Sequence, residues 1–260
     1  MSSEVDAAAD TPWAQGEMTV LGRLTSASNA SFLVEMHLDD AEPVRCVHKP
    51  VAGERPLWDF PDGTLAEREY ASFLISEGAG FDVVPPTTLI DGPFGPGMLQ
   101  RWVDSEDLDR WVRVERPGRT APGWCEVMEA FDQHDRPVVV SHADHPALRR
   151  IALFDAVINN SDRKGQHLLP VGDVVRGIDH GVSLSVDDKL RTILWGWAGA
   201  PLTEAEQALV TRARDLAEDL DELITVDEVL ALQLRCELLL ETGVLPEPQG
   251  GWPHIPWPPL

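Results

Sequence analysis

The order of segments along the chain predicts an α+β fold in two lobes, a small β-rich lobe followed by a mainly helical one. Three observations predict it. Apolar and polar residues alternate, as in half-buried strands, over residues 17–21, 31–38 and 44–49; one capped helix and two more extended runs follow. Polar residues take over from Asp104, and residues 115–123 carry Pro and Gly, placing a boundary near 104–107. Beyond it, apolar residues recur mostly at helical spacing as far as Thr242.

Taken in order, residues 1–15 are small and acidic without periodicity and read as a mobile tail, with structure beginning near Gly16. The first two strands are joined by LTSASNAS, residues 24–31. Such small hydroxyl and amide residues can wrap backbone N–H groups around phosphate oxygens, and they equally suit a hairpin turn. The third strand, VRCVHK, ends in Lys49, which either points at phosphates or is solvated. Residues 50–63, rich in Pro and Gly with two aromatics, form an ordered loop. Thr64 then caps a helix, with Glu67 three residues on completing a capping box. Glu67 and Glu69 both lie in its first turns, and either can reach back to Lys49. Gly80 ends the helix, residues 83–90 are extended, DGPFGPG turns, and residues 98–103 make another short strand. This is the sheet lobe, 16–103.

In the second lobe, 104–245, a helix is expected over 124–132 and a longer buried one over 145–159. Residues 138–145, VVVSHADH, carry His142 and His145 at a spacing that suits a metal or an exposed loop. Residues 189–197 are apolar and aromatic, and 202–211, 215–223 and 225–242 read as helices whose leucines are core positions, since no sustained heptad appears. The tail, 246–260, is Pro-rich and extended, its tryptophans covering apolar surface.

Between these helices lies FDAVINNSDRKGQHLL, residues 154–169, answered by IDHG at 178–181. The pattern reads as a buried helix delivering a loop, then a β-hairpin whose far strand presents an acid. Two acids on neighbouring loops, Asp162 and Asp179, with Arg163 and Lys164 between them, can hold a metal–phosphate group beside a nucleophile. Turn chemistry alone would also place Asp at both positions.

Composition narrows the class. With 43% hydrophobic and 25% charged residues the chain is an ordinary globular one. Its net charge of −23 opposes binding to nucleic acid or stable association with anionic membranes. A triphosphate would need a cation to bridge the charges. Cys46, Cys125 and Cys236 are scattered without metal or disulfide spacing, and no secretion signal or bilayer-length apolar run appears, so a reducing cytoplasm is expected.

From about residue 21 to 242 these motifs, in this order, resemble the phosphatidylinositol 3-/4-kinase-like (PI3/PI4-kinase-like) superfamily, particularly its compact bacterial branch; there is no glycine-rich loop, HRD or DFG. The resemblance implies a bilobal protein-kinase-like fold using ATP with Mg2+ or Mn2+. It makes SASNAS, with Ser26, Ser28 and Asn29, the phosphate-covering loop. Lys49 becomes the nucleotide-phosphate lysine and Glu69 its helix partner, with Glu67 the fallback. Gln100, Arg101 and Trp102 fall where the hinge holds adenine. Asp162 matches the catalytic aspartate of N-x-D-R-x-x-x-N, Arg163 its arginine, and Asp179 the metal-binding aspartate. His167 stands where that pattern ends in Asn, which either retunes the metal preference or marks weakened catalysis. The implied activity is γ-phosphoryl transfer to a hydroxyl, first of a protein, including the chain itself. A small-molecule or lipid acceptor, nucleotidyl transfer and a non-catalytic nucleotide-binding scaffold stay open. A histidine-metal hydrolase using His142, His145, His167 and His180 is a further alternative.

Overall fold

The computed structural model describes residues 12–24, 29–39, 41–60, 64–248 and 253–260. The chain is α+β. Five strands, β1 (Glu17–Arg23), β2 (Phe32–His37), β3 (Val44–Pro50), β4 (Thr87–Gly92) and β5 (Gly95–Arg101), form an antiparallel sheet in the order β1-β2-β3-β5-β4. The period-two pattern puts Val34 and Met36 of β2, Cys46 of β3 and Leu99 of β5 into one small apolar cluster. Trp13 joins them from a 3-10 turn at Pro12–Gln15, so ordered packing starts before Gly16. Its large ring covers the end of the sheet's apolar face, which the adjoining acidic residues obscure in the sequence.

Helix α1 (Leu65–Gly78) packs on β4 and β5, and its other side enters the main core. That core is continuous across the molecule: Phe73 and Ile75 of α1 cluster with Leu148, Phe154 and Ile158 of α2 (Pro146–Ile158), and the Phe81 and Phe154 rings lie 5.2 Å apart. Helices α3 (Glu204–Asp215) and α4 (Val226–Thr242) close it from the far side. Each of the latter begins with a Thr–Glu capping box, and α4 ends on Gly243 with φ of 65°.

The expected helix over 124–132 is a strand. β6 (Val112–Glu115), β7 (Trp124–Phe131) and β8 (Pro137–Ala143) make a second sheet, ordered β6-β8-β7. The Asp132 side chain accepts the backbone N–H groups of His134 and Arg136, and Asp135 takes φ of 57°, closing a tight hairpin. Pairing with the β-branched run 138–140 then overrides the weak helical pattern of β7. A third small sheet is the hairpin β9 (Leu168–Val171) and β10 (Val174–Gly177). Of the helix expected over 215–223, Asp215 closes α3 and the rest carries only a 3-10 turn, Ala217–Leu220. Among the described residues no helix is long and apolar enough to cross a membrane.

Candidate active site

Lys49 occupies the next-to-last position of β3, where β5 runs unusually close. A Cβ on Gly97 of β5 would lie 2.4 Å from the Lys49 carbonyl oxygen, so the absent side chain lets the two backbones approach and sets where the lysine emerges. Its Nζ donates to Glu69 Oε1 at 2.8 Å and also contacts Asp179 Oδ1. Burial pulls the ammonium pKa down, but the charges of Asp179 and Glu69 outweigh it and raise the value. The Lys49 charge in turn holds the Asp179 carboxyl well below its ordinary range.

Glu69, not Glu67, meets the lysine. Glu67 is committed to the capping box, accepting the Thr64 N–H at 2.8 Å while Thr64 Oγ1 accepts the Glu67 N–H at 3.1 Å. Glu69 is buried in the second turn, and its other oxygen accepts the backbone N–H of His180 at 2.8 Å. One carboxylate thus ties β3, α1 and the 178–181 turn together. In that turn Asp179 has φ of 63°, a left-handed conformation costing a non-glycine residue about 1 kcal/mol. It is held there by the His180 bond and by the Ile178 N–H bound to His167 O at 3.0 Å.

Helix α2 delivers the second acid. It ends on Asn159, φ 54°, whose amide donates to Ser185 O and Asp187 O and accepts from Lys189 N–H. Asn160 donates to Asp155 at 3.0 Å and accepts the Asp162 N–H at 3.0 Å, so the Asp162 backbone is anchored while its side chain remains partly exposed. Lys164 Nζ lies 2.9 Å from Asp162 Oδ2.

Arg163 does not reach the cleft. It is fully buried, and its guanidinium donates to both Asp155 oxygens, to Ile178 O and to His180 Nε2. It therefore positions the two loops relative to α2, rather than touching a reacting group as the resemblance implied. Because His180 Nε2 accepts from Arg163, its proton sits on Nδ1; burial and the Arg163 charge hold its pKa well below the usual histidine value. His167 places Nε2 3.3 Å from Asp179 Oδ2, and its buried Nδ1 has no partner among the described residues. Burial lowers its pKa, so this imidazole is neutral at pH 7.

Lys49, Glu69, Asp162 and Asp179 line one cavity of about 350 Å³, with Asn29 and Ser31 on its sheet side. Ser26 and Ser28 lie outside the described residues. Gln100, Arg101 and Trp102 are not brought to the cavity. Gln100 is buried and donates to Thr87 Oγ1 at 2.9 Å, Arg101 is exposed, and the Trp102 indole donates to Asp104 at 3.0 Å.

The other two histidines serve the fold. Both ring nitrogens of His142 are engaged, Nδ1 donating to Ala143 O at 2.9 Å and Nε2 accepting the Gly196 N–H at 3.1 Å, while His145 Nδ1 caps α2. Among the described residues no group of three or more His, Cys, Asp and Glu side chains is placed to hold a metal ion. The sequence reading missed Asp155 and Asn160, whose side chains set the geometry of the Asp162 loop. The signal was present: a lone carboxylate inside the apolar run of α2 needs a buried partner, and Arg163 lies eight residues on.

No protein-family model matches the chain. It is 48% identical over 260 residues to Protein Rv2133c of Mycobacterium tuberculosis, covering 94% of this chain and 93% of that protein. Similarity of that extent makes the two members of one family, and the chain belongs to the family of Protein Rv2133c.

Proposed function

We propose that this chain is an ATP-dependent phosphotransferase of the PI3/PI4-kinase-like type, its sheet-plus-helix part and its helical part being the two lobes around a nucleotide site. One observation carries the reading: Lys49 and Glu69 from the first half and Asp162 and Asp179 from two loops of the second line a single cavity. Asp162, on an anchored backbone, accepts the proton of an attacking hydroxyl at its carboxylate. Lys49, steadied by Glu69, balances phosphate charge. Arg163 and Asp155 keep the Asp162 and Asp179 loops in register.

The donors present suit a divalent cation held jointly with phosphate oxygens. Asp179 offers a carboxylate, and His167 a neutral imidazole already turned toward it. When bound, such a cation offsets phosphate charge and orients the transferred group. An imidazole in place of a carboxamide favours Mn2+ over Mg2+. The acceptor we favour is a protein hydroxyl, including the chain's own serines and threonines, because a net charge of −23 opposes docking on anionic lipid.

Incubation with γ-labelled ATP and either Mg2+ or Mn2+ tests this, with label expected on the protein and more of it with Mn2+. ATP binding without any transfer in either metal would overturn it in favour of a nucleotide-binding scaffold. That second reading is favoured by the closed contact of Lys49 with Asp179 and by His167 at the Asn position.

A further inference from the structure

The cavity carries one cation that the roles above do not use. Among the described residues lining it are four carboxylates, Glu54, Glu69, Asp162 and Asp179, against two cations, Lys49 and Arg55. Lys49 is already engaged by two of those carboxylates. Arg55 is exposed, and its guanidinium has no hydrogen bond or ion pair among the described residues.

The Arg55 backbone, by contrast, is firmly placed. Its N–H donates to Asn29 Oδ1 at 3.1 Å, and Ala30 N–H donates to Gly53 O at 3.2 Å, stitching its loop to the 29–31 segment. A Cβ on Gly53 would lie 2.4 Å from the Ala30 Cβ, so the two segments meet only because residue 53 is glycine. Glu54, next to Arg55, accepts the Leu65 and Ala66 N–H groups at the start of α1. A backbone fixed on two sides, at a residue that lines the cavity and whose guanidinium is unpaired among the described residues, is the arrangement of a ligand contact.

We infer that Arg55 is a phosphate-binding residue, gripping the polyphosphate of a nucleotide from the wall formed by the 29–31 segment. The assignment to the nucleotide rests on the phosphotransferase reading of this cavity. A guanidinium presents a planar fork of donors that matches two phosphate oxygens, which an ammonium cannot reproduce. It also supplies positive charge where the cavity's carboxylates would otherwise repel a polyanion.

The test uses the full chain and two probes, inorganic tripolyphosphate and adenosine, titrated with Mn2+ present by isothermal calorimetry. Arg55→Ala should weaken tripolyphosphate about tenfold, the loss of one charge-assisted contact, and leave adenosine affinity unchanged. Arg55→Lys should recover only part of the loss. Because the side chain is exposed and makes no hydrogen bond or ion pair among the described residues, both variants should fold, which circular dichroism checks. Equal tripolyphosphate affinity in wild type and Arg55→Ala, or no tripolyphosphate binding by the wild type, overturns the inference. Transfer from γ-labelled ATP is scored separately. Arg55-dependent tripolyphosphate binding without transfer removes the kinase activity and keeps the anion site; transfer with Arg55-independent binding does the reverse.

Discussion

Lys49 sits between two carboxylates from different elements, and Arg163 is buried against Asp155; the two pairs do different work. Arg163 and Asp155 are both fully buried, so removing one partner strands a charge away from water. Asp155→Ala should therefore lower stability by about 3–5 kcal/mol, read as a shift of the urea midpoint with unchanged slope; a shift within about 0.5 kcal/mol, as expected for a surface site, would contradict it. At the cleft, Asp162→Ala should abolish phosphoryl transfer and spare ATP binding. Loss of both together would speak against Asp162 as the proton acceptor. Asp179→Ala should erase the gain in ATP affinity on adding Mn2+, and a persisting gain would place the cation elsewhere. Lys49, Asp162 and Asp179 were legible in the sequence because each ends a patterned segment. Glu69 was the partner that the resemblance favoured, with Glu67 the fallback, because both lie in the first turns of the same helix. Capping chemistry separates them, since one carboxylate cannot both hold Thr64 and reach Lys49.

Helix α1 links its own start to the site. Thr64 and Glu67 form the capping box at its N-terminus, two residues before Glu69. Thr64→Ala should cost about 1 kcal/mol in thermal or chemical denaturation; an unchanged midpoint would show that Glu54, which also binds the first turn, suffices alone. The same helix was readable from sequence because its cap, apolar face and terminal glycine agree. β7 was misread because its apolar residues fit either period, and what decides is the hairpin closed by Asp132 together with a partner strand. Local pattern carries no information about a strand that has yet to be made in the chain.

The whole molecule should respond to acid before its carboxylates do. Burial lowers the pKa of His48, His142 and His167, and lowers that of His180 further still, from the ordinary 6.5. The unfolded chain takes up these protons as pH falls through about 6.5, and the folded chain only at lower pH. The stability they contribute is complete above about pH 6.5 and declines below it. A free carboxylate protonates mostly below about pH 5, so protonation that would relieve the −23 charge falls mainly outside this window. The expected result is a melting temperature that is flat from pH 8 to 7 and falls from about 6.5 to 5.5. A melting temperature that rises over that last interval would show charge repulsion to be the larger effect.

The order of elements in the first half, the cap of α1, the buried run of α2, and the lysine and two aspartates at segment ends were determined by local chemistry, and local chemistry is written residue by residue in the chain. The meeting of Lys49 with Glu69 and Asp179, the burial of Arg163 on Asp155, the placement of Arg55 on the cavity wall and the strand at β7 were decided only by tertiary structure. Each depends on which distant segment packs alongside, and packing follows from the summed burial of the whole core rather than from any local spacing.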